Sequence, residues 1–554
     1  MSNTDFVPTL VEDDRLILTD KLPFEVYQGA SSISPQIFQN NSATSSSATF
    51  TVTVPSYESI LDANIWIDTD IVYTITGVPA ATKFLVNYAN ENGTDNSDCL
   101  APFPFLQNII VASATINQSQ VSVNCQDVLP ALLPCLSRDS LTTYNSMTPT
   151  MLDNVQSYTY PSLSEYTQAP DSQASVFGSY KASNNWNNQP RGAWKVKSIS
   201  GNLAGDGTAS RTVVITFHVT EPLGILSPFL FAKPGVGFSG IQAVNFNLTL
   251  DATGSRSWRT TSPSTGVGSQ RVLCTYSNAQ LLVSFLSPKA SQLVKYSVKN
   301  IMPYSQLQVY KSNPVSATDG VASSPSIQLS SIPKMALIFV RPTNRTYNTP
   351  DYVLPITKIN LLFNGRNGIL SGATQQQLYA MSVLSGVNQS WQEWSGSANW
   401  GGMIAPSPSQ NGQQYQSVFT QGGILALTFG RDIECANEYD APSSIGQYNF
   451  AINVNFDNSC GSTGNVELYI VLVNEGYMAN SRGQSSTYTS ILSKSDTMSV
   501  LNDVPLSDAP GAQVLPDEGS EVLTGGRRHR MSKGMGKSGG ARSAGVKKLH
   551  SRLM

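Results

Sequence analysis

The side chains that could do chemistry are few, and one pair of carboxylates stands out. Asp68 and Asp70 lie two residues apart in an apolar, strand-like stretch, so both carboxyls would point to one face of a sheet. Paired carboxyls can share a proton or bind a cation, and a glycan-processing enzyme would need such a pair. Two acids on a solvated strand face are far more common, and we favour that interpretation.

Histidine and cysteine chemistry is restricted by the small number and placement of these residues. The chain has three histidines, and His218 is embedded in an apolar alternating run, where an ordinary strand histidine is expected. The six cysteines are widely spaced and form no CxxC pair, so neither a zinc site nor a redox motif is indicated. We predict no catalytic residues, no metal and no cofactor, and therefore a protein that is not an enzyme.

A cluster of positive charge lies at the C-terminal end. Residues 527–554 hold nine Lys or Arg and no acid, whereas the rest of the chain has 25 basic against 37 acidic residues. The nine cations are Arg527, Arg528, Arg530, Lys533, Lys537, Arg542, Lys547, Lys548 and Arg552. Spaced by glycine and serine, they can follow a phosphate backbone without reading bases, with a salt slope of about −8 if all nine contact duplex DNA. A solubilising or nuclear-import role is the alternative.

Three tryptophans occupy one loop-like stretch: Trp391, Trp394 and Trp400. Exposed indoles can stack on sugars, so this loop supports an alternative function, a receptor- or glycan-binding β-sandwich such as a spike or lectin. A loop that packs onto the edge of a sandwich is the more common arrangement.

The elements that must position these residues are strands. Only 13% of the residues are charged and 40% are hydrophobic, which is typical of an ordered globular protein. Period-2 alternation recurs along the chain, for example at Val213–Val219 and Tyr448–Phe456, with Gly, Pro, Asn and Asp between the runs. Short helices are predicted at Asp127–Leu136 and Thr374–Leu384. The pattern predicts an all-β protein with consecutive sandwiches, and no apolar run is long enough for a membrane span.

Composition divides the chain into five parts. We expect an N-terminal arm at 1–20, a first sandwich at 21–288 and a second at 289–500, with the boundary near Phe285–Pro288. Residues 501–526 are rich in proline and acid and suit an extended linker. Residues 527–554 should be disordered on their own, because they contain almost no apolar anchor.

Two tracts resemble the double jelly-roll major capsid proteins of polinton-like viruses, virophages and their adenovirus-like relatives. In the second half, SIQLSSIPKMALIFVRP (Ser326–Pro342) precedes PITKINLLFNGRNGILSGATQQQLYAMS (Pro355–Ser382) and GGILALTFGRDIE (Gly422–Glu434). In the first half, TEPLGILSPFLF (Thr220–Phe231) precedes GFSGIQAVNFNLTL (Gly237–Leu250). The resemblance spans roughly residues 20–480 and leaves out the basic tail.

The resemblance implies a fold and a function. Two consecutive eight-stranded jelly rolls would stand side by side, and three chains would form a homotrimer with a pseudo-hexagonal outline. Many trimers would tile an icosahedral virion shell around a DNA genome, together with penton and minor capsid proteins, and assemble in the host cytoplasm or nucleus. A capsid protein of an RNA virus is a neighbouring interpretation, but those proteins more often have an N-terminal basic arm, and residues 1–20 here are acidic.

The resemblance also implies a processing site. Such viruses often encode a maturation protease that cuts after Gly-Gly when Leu, Ile or Met stands two residues earlier. Leu523-Thr524-Gly525-Gly526 has this pattern at the junction between linker and tail. We expect cleavage after Gly526, with Gly539-Gly540 as a rival site.

Overall fold

The computed structural model describes residues 32–493 except 57–58, 79–97, 102, 137–195, 202–210, 225, 230–236, 261–270, 288–299, 344–346, 348–350, 402–414, 436, 438–439, 463, 482 and 491. Strands dominate both halves of this part of the chain, as the alternating pattern predicts. The predicted N-terminal arm, linker and tail lie outside it.

The strands of the first half are β1 (Ser32–Ala43), β2 (Ser47–Thr53), β3 (Ile60–Asp62), β4 (Trp66–Val78), β5 (Asp98–Leu100), β6 (Ile109–Ile116), β7 (Ser119–Val123), β8 (Val196–Gly201), β9 (Arg211–Pro222), β10 (Gly237–Phe238), β11 (Ala243–Leu250), β12 (Trp258–Thr260) and β13 (Arg271–Ser287). Those of the second half are β14 (Asn300–Lys311), β15 (Val315–Ser316), β16 (Val321–Ser323), β17 (Ile327–Ser331), β18 (Met335–Pro342), β19 (Ile356–Phe363), β20 (Arg366–Ile369), β21 (Ser397–Gly401), β22 (Tyr415–Phe419), β23 (Leu425–Thr428), β24 (Ile445–Phe456), β25 (Asn465–Ser481) and β26 (Gln484–Thr489).

The α-helices of the described residues are short: α1 (Pro104–Asn108), α2 (Cys125–Leu132), α3 (Gln375–Leu384) and α4 (Trp391–Trp394). Both predicted helices are present. Pro130 lies inside α2, and a 3-10 turn at Leu133–Cys135 follows it. Thr374 caps α3 through a reciprocal capping box with Gln377, which fixes where this helix starts.

The first half is a sandwich of two antiparallel layers. One layer has the strand order β1-β13-β4-β9, extended by β8, and the other has the order β2-β11-β6-β7. The strand β1 joins them, because its first part pairs with β13 and its last residues pair with β2. Alternate residues point into the core, as in β11, where Val244, Phe246, Leu248 and Leu250 are buried while the residues between them are largely exposed.

The second half has the same design. Its layers have the orders β14-β25-β18-β23 and β16-β24-β19-β20, with β17 also pairing with β24. Phe429, just after β23, contacts Phe363 of β19 and Phe450 of β24 across the gap between the layers, with ring centroids 5.2 and 5.7 Å apart. Such close aromatic packing is typical of a filled sandwich core.

The two halves are structural repeats. When the short accessory strands are set aside, β1, β2, β4, β6, β7, β9, β11 and β13 correspond in chain order and sheet position to β14, β16 with β17, β18, β19, β20, β23, β24 and β25. In both halves a helix follows the second hairpin: α2 follows β6 and β7, and α3 follows β19 and β20. The described residues therefore form two consecutive eight-stranded jelly rolls, as predicted.

Candidate assembly surfaces

A buried joint connects the two jelly rolls. Asp127 on α2 is 1% exposed and points at the outer face of the β14-β25-β18-β23 layer. Its carboxylate lies 2.7 Å from Lys311 Nζ on β14 and 3.4 Å from Arg341 Nη2 on β18. The Arg341 guanidinium stacks over the Tyr469 ring at 4.5 Å from its centroid. Because unpaired buried charges are costly, this arrangement fixes how the two halves sit on each other.

Further side-chain hydrogen bonds extend the joint beyond these charges. Gln107 Nε2 donates to Asp351 Oδ2 at 2.8 Å, and Asn388 Nδ2 donates to the Cys135 carbonyl at 2.8 Å. Further away, Asn117 Nδ2 donates to Ser485 Oγ at 2.6 Å. Each bond joins residues from opposite halves, so the joint holds them at several separated points.

The outer face of the matching layer in the first half, β1-β13-β4-β9, carries the acid pair found in the sequence. We call this surface the open face and define it by Ile37, Gln39, Trp66, Asp68, Asp70, His218, Gln280 and Leu282. Asp68 and Asp70 point to the same side, as predicted, and His218 lies between them. Its Nε2 is 3.2 Å from Asp68 Oδ1, and its Nδ1 is 3.0 Å from Asp70 Oδ1.

Asp70 is not a solvated strand acid, which corrects the sequence interpretation. The side chain is 2% exposed, because Lys197, Asn278 and His218 close over it. Lys197 Nζ donates at 2.6 Å, and Asn278 Nδ2 donates at 2.8 Å from a bulge where its φ of 54° is left-handed. Burial would raise the pKa of the Asp70 carboxyl, but these hydrogen bonds outweigh burial and lower it.

Asp68 belongs to a row of polar side chains across the open face. Gln39 donates to Gln280 at 3.1 Å, Gln280 donates to Asp68 at 2.9 Å, and the Thr220 hydroxyl donates to Asp68 at 2.5 Å. The acids thus accept hydrogen bonds from several neighbours, and no exposed carboxyl pair is left to act as acid and base. The arrangement is that of a structured polar surface.

A buried carboxyl elsewhere in the first half has a raised pKa. Glu221, at the end of β9, accepts hydrogen bonds from the backbone N–H groups of Phe105 at 3.1 Å and Leu106 at 2.9 Å in the first turn of α1. Burial raises the pKa of Glu221 to about 8, against the opposing effect of those two hydrogen bonds. Its role is to hold α1 on the sandwich.

The tryptophan loop packs inward. Trp394 is buried, and its Nε1 donates to the Ile424 carbonyl at 2.9 Å, while Trp391 is half-buried and stacks on it with centroids 6.1 Å apart. A Cβ at Gly423 would lie 2.4 Å from the Trp394 ring, so the loop needs glycine there. The packing interpretation is confirmed for Trp394, and a sugar-stacking role for its indole is wrong. The side chain of Trp400 lies outside the described residues.

The Gly-Arg-Asp motif after β23 positions α3. Arg431 Nη1 donates to the Leu384 carbonyl at 3.0 Å, and its Nη2 donates to Ser385 Oγ at 2.6 Å. Asp432 accepts from the Thr428 backbone N–H at 2.8 Å. The motif therefore caps the end of α3 and ties it to the sheet, a role that no local sequence signal predicted.

Neither a metal site nor a membrane-spanning helix is indicated in the part of the chain that the structure describes. Among those residues no group of three or more His, Cys, Asp or Glu could hold a metal ion, and no helix is long and apolar enough to cross a bilayer. The nine predicted DNA-contacting cations and the cleavage site at Gly525 and Gly526 lie outside the described residues.

Two jelly rolls with one strand order, fixed together by a buried joint, define the class of double jelly-roll proteins. Two family models match the chain: the Sputnik virophage major capsid protein 1st domain over residues 4–286, and the major capsid protein V20 C-terminal domain over residues 304–476. The chain belongs to the Sputnik virophage major capsid protein family. It is a virophage-type major capsid protein and a component of the virion shell.

Individual relatives agree with this assignment. The putative capsid protein V20 of Sputnik virophage is 24% identical over 512 residues, which cover 88% of this chain and 80% of that protein. The cryo-EM structure of the Sputnik virophage matches with a TM-score of 0.73 and 23% identity, over 92% of this chain and 98% of that one. The crystal structure of the mavirus major capsid protein matches with a TM-score of 0.66 and 14% identity, over 91% of this chain and 99% of that one. Family membership agrees with the expectation that the protein is not an enzyme.

Proposed function

We propose that three copies of this chain form a homotrimer with a pseudo-hexagonal outline, and that many trimers tile an icosahedral shell around a DNA genome. The observation that supports this most is the internal repeat. Each chain carries two jelly rolls of equal strand order, locked by the Asp127–Arg341 joint, so three copies supply six similar units. Penton and minor capsid proteins would complete the shell, in the host cytoplasm or nucleus.

Negative-stain electron microscopy of the purified full chain tests the proposal. We expect particles with a six-sided outline and threefold averages, or closed shells. A field of single, two-lobed particles at micromolar concentration would contradict it.

We further propose that the basic tail contacts the genome. Nine cations and no acids within residues 527–554 supply an electrostatic, sequence-independent attraction to phosphate. Deleting residues 527–554 should leave the trimer intact and weaken binding to duplex DNA, and the salt dependence of binding should become less steep. Equal affinity with and without the tail would remove this role.

The third proposal is cleavage after Gly526 by a viral maturation protease. Leu523, Gly525 and Gly526 form the recognition pattern at the boundary between the acidic linker and the basic tail. Intact-mass measurement on mature particles tests it: we expect a chain that ends at Gly526. A chain that still ends at Met554 would reject the cut.

A further inference from the structure

The β2-β11-β6-β7 layer of the first half has an outer surface without charge. None of these four strands contains an acidic residue, a basic residue or a histidine. Along β2 the outward positions from Ser47 to Thr53 hold only serine and threonine, and along β11 those from Ala243 to Thr249 hold alanine, asparagine and threonine. We call the outward side of these four strands the neutral face.

The strand register arranges the neutral face in rows. Thr49 pairs with Asn247, Asn247 pairs with Ser113, and Ser113 pairs with Ser122. The adjacent row, two residues along each strand, consists of Thr51, Asn245, Thr115 and Gln120. Asn247 and Ser122 are exposed, and Thr49 and Ser113 are partly exposed. The rows therefore present hydroxyl and amide groups, which can both donate and accept hydrogen bonds.

This composition narrows the kind of partner that the neutral face fits. Its strands have no cation for a phosphate backbone, and their aromatic rings, Phe50 and Phe246, are buried in the core rather than available to stack on a sugar. The one large apolar side chain that is exposed on it is Val111, so it does not fit a lipid surface either. The surface matches a protein interface, because charged residues are depleted at interface cores.

The corresponding layer of the second half has a similar outer surface. The outward positions of β24 include Gln447, Asn449, Asn453 and Asn455, and all four are exposed. This layer also carries an exposed lysine, Lys358 on β19. Low charge thus recurs in both jelly rolls, and the neutral face is the case without any charge.

The size of the neutral face sets the strength of a contact. Four strands spaced about 4.8 Å apart, with a rise of about 3.4 Å per residue along the length of β2, cover roughly 300 Å². A stable pair of proteins buries about 800 Å² on each partner. One such contact is therefore weak, and it becomes effective only where many copies are held together, as in a shell.

We propose that the neutral face of one chain packs against the neutral face of a chain in a neighbouring trimer, across a twofold axis. The proposal rests on the shell function above and specifies a contact between trimers. In a twofold contact the same surface occurs on both sides, so any charge on it has to be matched by an opposite charge within the same surface. Serine, threonine and asparagine meet this condition, because each can donate to a copy of itself and accept from it.

A charge at the centre of the neutral face tests the contact. Asn247→Lys and Asn247→Glu, each in the full chain, place like charges on both sides of the contact. Asn247 is exposed, so the unfolding midpoint and the trimer should be unchanged. Like charges should weaken the contact by roughly tenfold or more, so shells should need a correspondingly higher protein concentration, measured by light scattering and negative-stain microscopy.

The matched control is Ser200→Lys, which adds the same charge at an exposed position on β8 of the other layer. This variant should assemble at the wild-type concentration. Added salt should partly restore assembly of the two Asn247 variants, because it screens the repulsion between like charges.

Mixing the two Asn247 variants gives the sharper result. Equal amounts of Asn247→Lys trimers and Asn247→Glu trimers put opposite charges across the contact, so shells should form again at the wild-type concentration or below. Assembly of both single variants at the wild-type concentration would overturn the inference and leave the shell function standing. Two defective variants that mixing does not restore would also overturn it, because the face would then meet a different surface. Wild-type trimers that do not associate would overturn it too, whereas a monomeric wild type would contradict the proposed function itself.

Discussion

The two jelly rolls share a strand order but differ in what covers the outer face of their corresponding layers. In the second half both faces of β25 are buried, since Val471 and Leu472 point to opposite sides and both are inaccessible. In the first half Leu281 is buried while its neighbour Leu282 is half-exposed. The difference teaches that equal strand order does not give equal burial: among the described residues, the outer face of this layer is covered by the other half of the chain in the second jelly roll and is partly exposed in the first.

Removing the acid from the joint should have the largest effect on the isolated chain. Asp127→Ala leaves Arg341 buried without its partner, which should destabilise the folded chain by about 3–5 kcal/mol. Urea unfolding followed by tryptophan fluorescence measures this. A loss below about 1 kcal/mol would mean that the joint does not hold the halves together.

The pH dependence of stability should come mainly from the first half. The pKa of Glu221 is about 8 in the folded chain against an ordinary value of 4.5, so the folded state holds the proton more tightly. Stability is then full below about pH 4.5 and falls as the pH rises towards 8, by about 2–3 kcal/mol between pH 5 and pH 7.

The variant Glu221→Gln should flatten that slope, because an amide does not ionise, and Asp432→Asn in the second half serves as the comparison. Urea midpoints at pH 5, 6, 7 and 8 give the slope. An identical slope in the wild type and in Glu221→Gln would mean that other groups cause the pH dependence of stability.

The acid cluster of the open face should matter less to the isolated chain than the joint does. In Asp70→Asn the partners Lys197 and Asn278 can turn to water, since the Lys197 side chain is half-exposed, so we expect a loss of about 1–2 kcal/mol. The same urea assay applies. A loss as large as that of Asp127→Ala would show that the two faces are equally buried in the monomer, contrary to the comparison.

The sequence predicted the local parts of this structure well. Alternation identified β9 and β24, and the helix predicted at Thr374–Leu384 corresponds to α3. The pairing of Asp68 and Asp70 on one face followed from strand geometry alone. The family resemblance supplied the double jelly roll, because sheet order depends on strands hundreds of residues apart, such as β1 and β13.

The surfaces could not be predicted in the same way. Asp127 and Arg341 are 214 residues apart, and nothing near either residue signals the other. The burial of Asp70 depends on Lys197 from β8 and on a bulge at Asn278, and neither appears in an alternating pattern. The repeat between the two halves is also not visible in the sequence, because corresponding strand positions hold different residue types. The pair Gln39 and Gln280 in the first half corresponds to the pair Lys311 and Tyr469 in the second half.

Deleting the basic tail should have the smallest effect on the body. Residues 527–554 carry almost no apolar anchor, so their removal should change the unfolding free energy by no more than about 0.5 kcal/mol. Urea unfolding of the full and shortened chains makes the comparison. A larger change would mean that the tail packs on one of the jelly rolls.

Sedimentation equilibrium of the wild-type chain at micromolar concentration and physiological salt tests the central claim most directly, that three copies of the chain form a homotrimer. The account predicts a mass three times that of the 59.6 kDa chain. A mass equal to that of the single chain would contradict it.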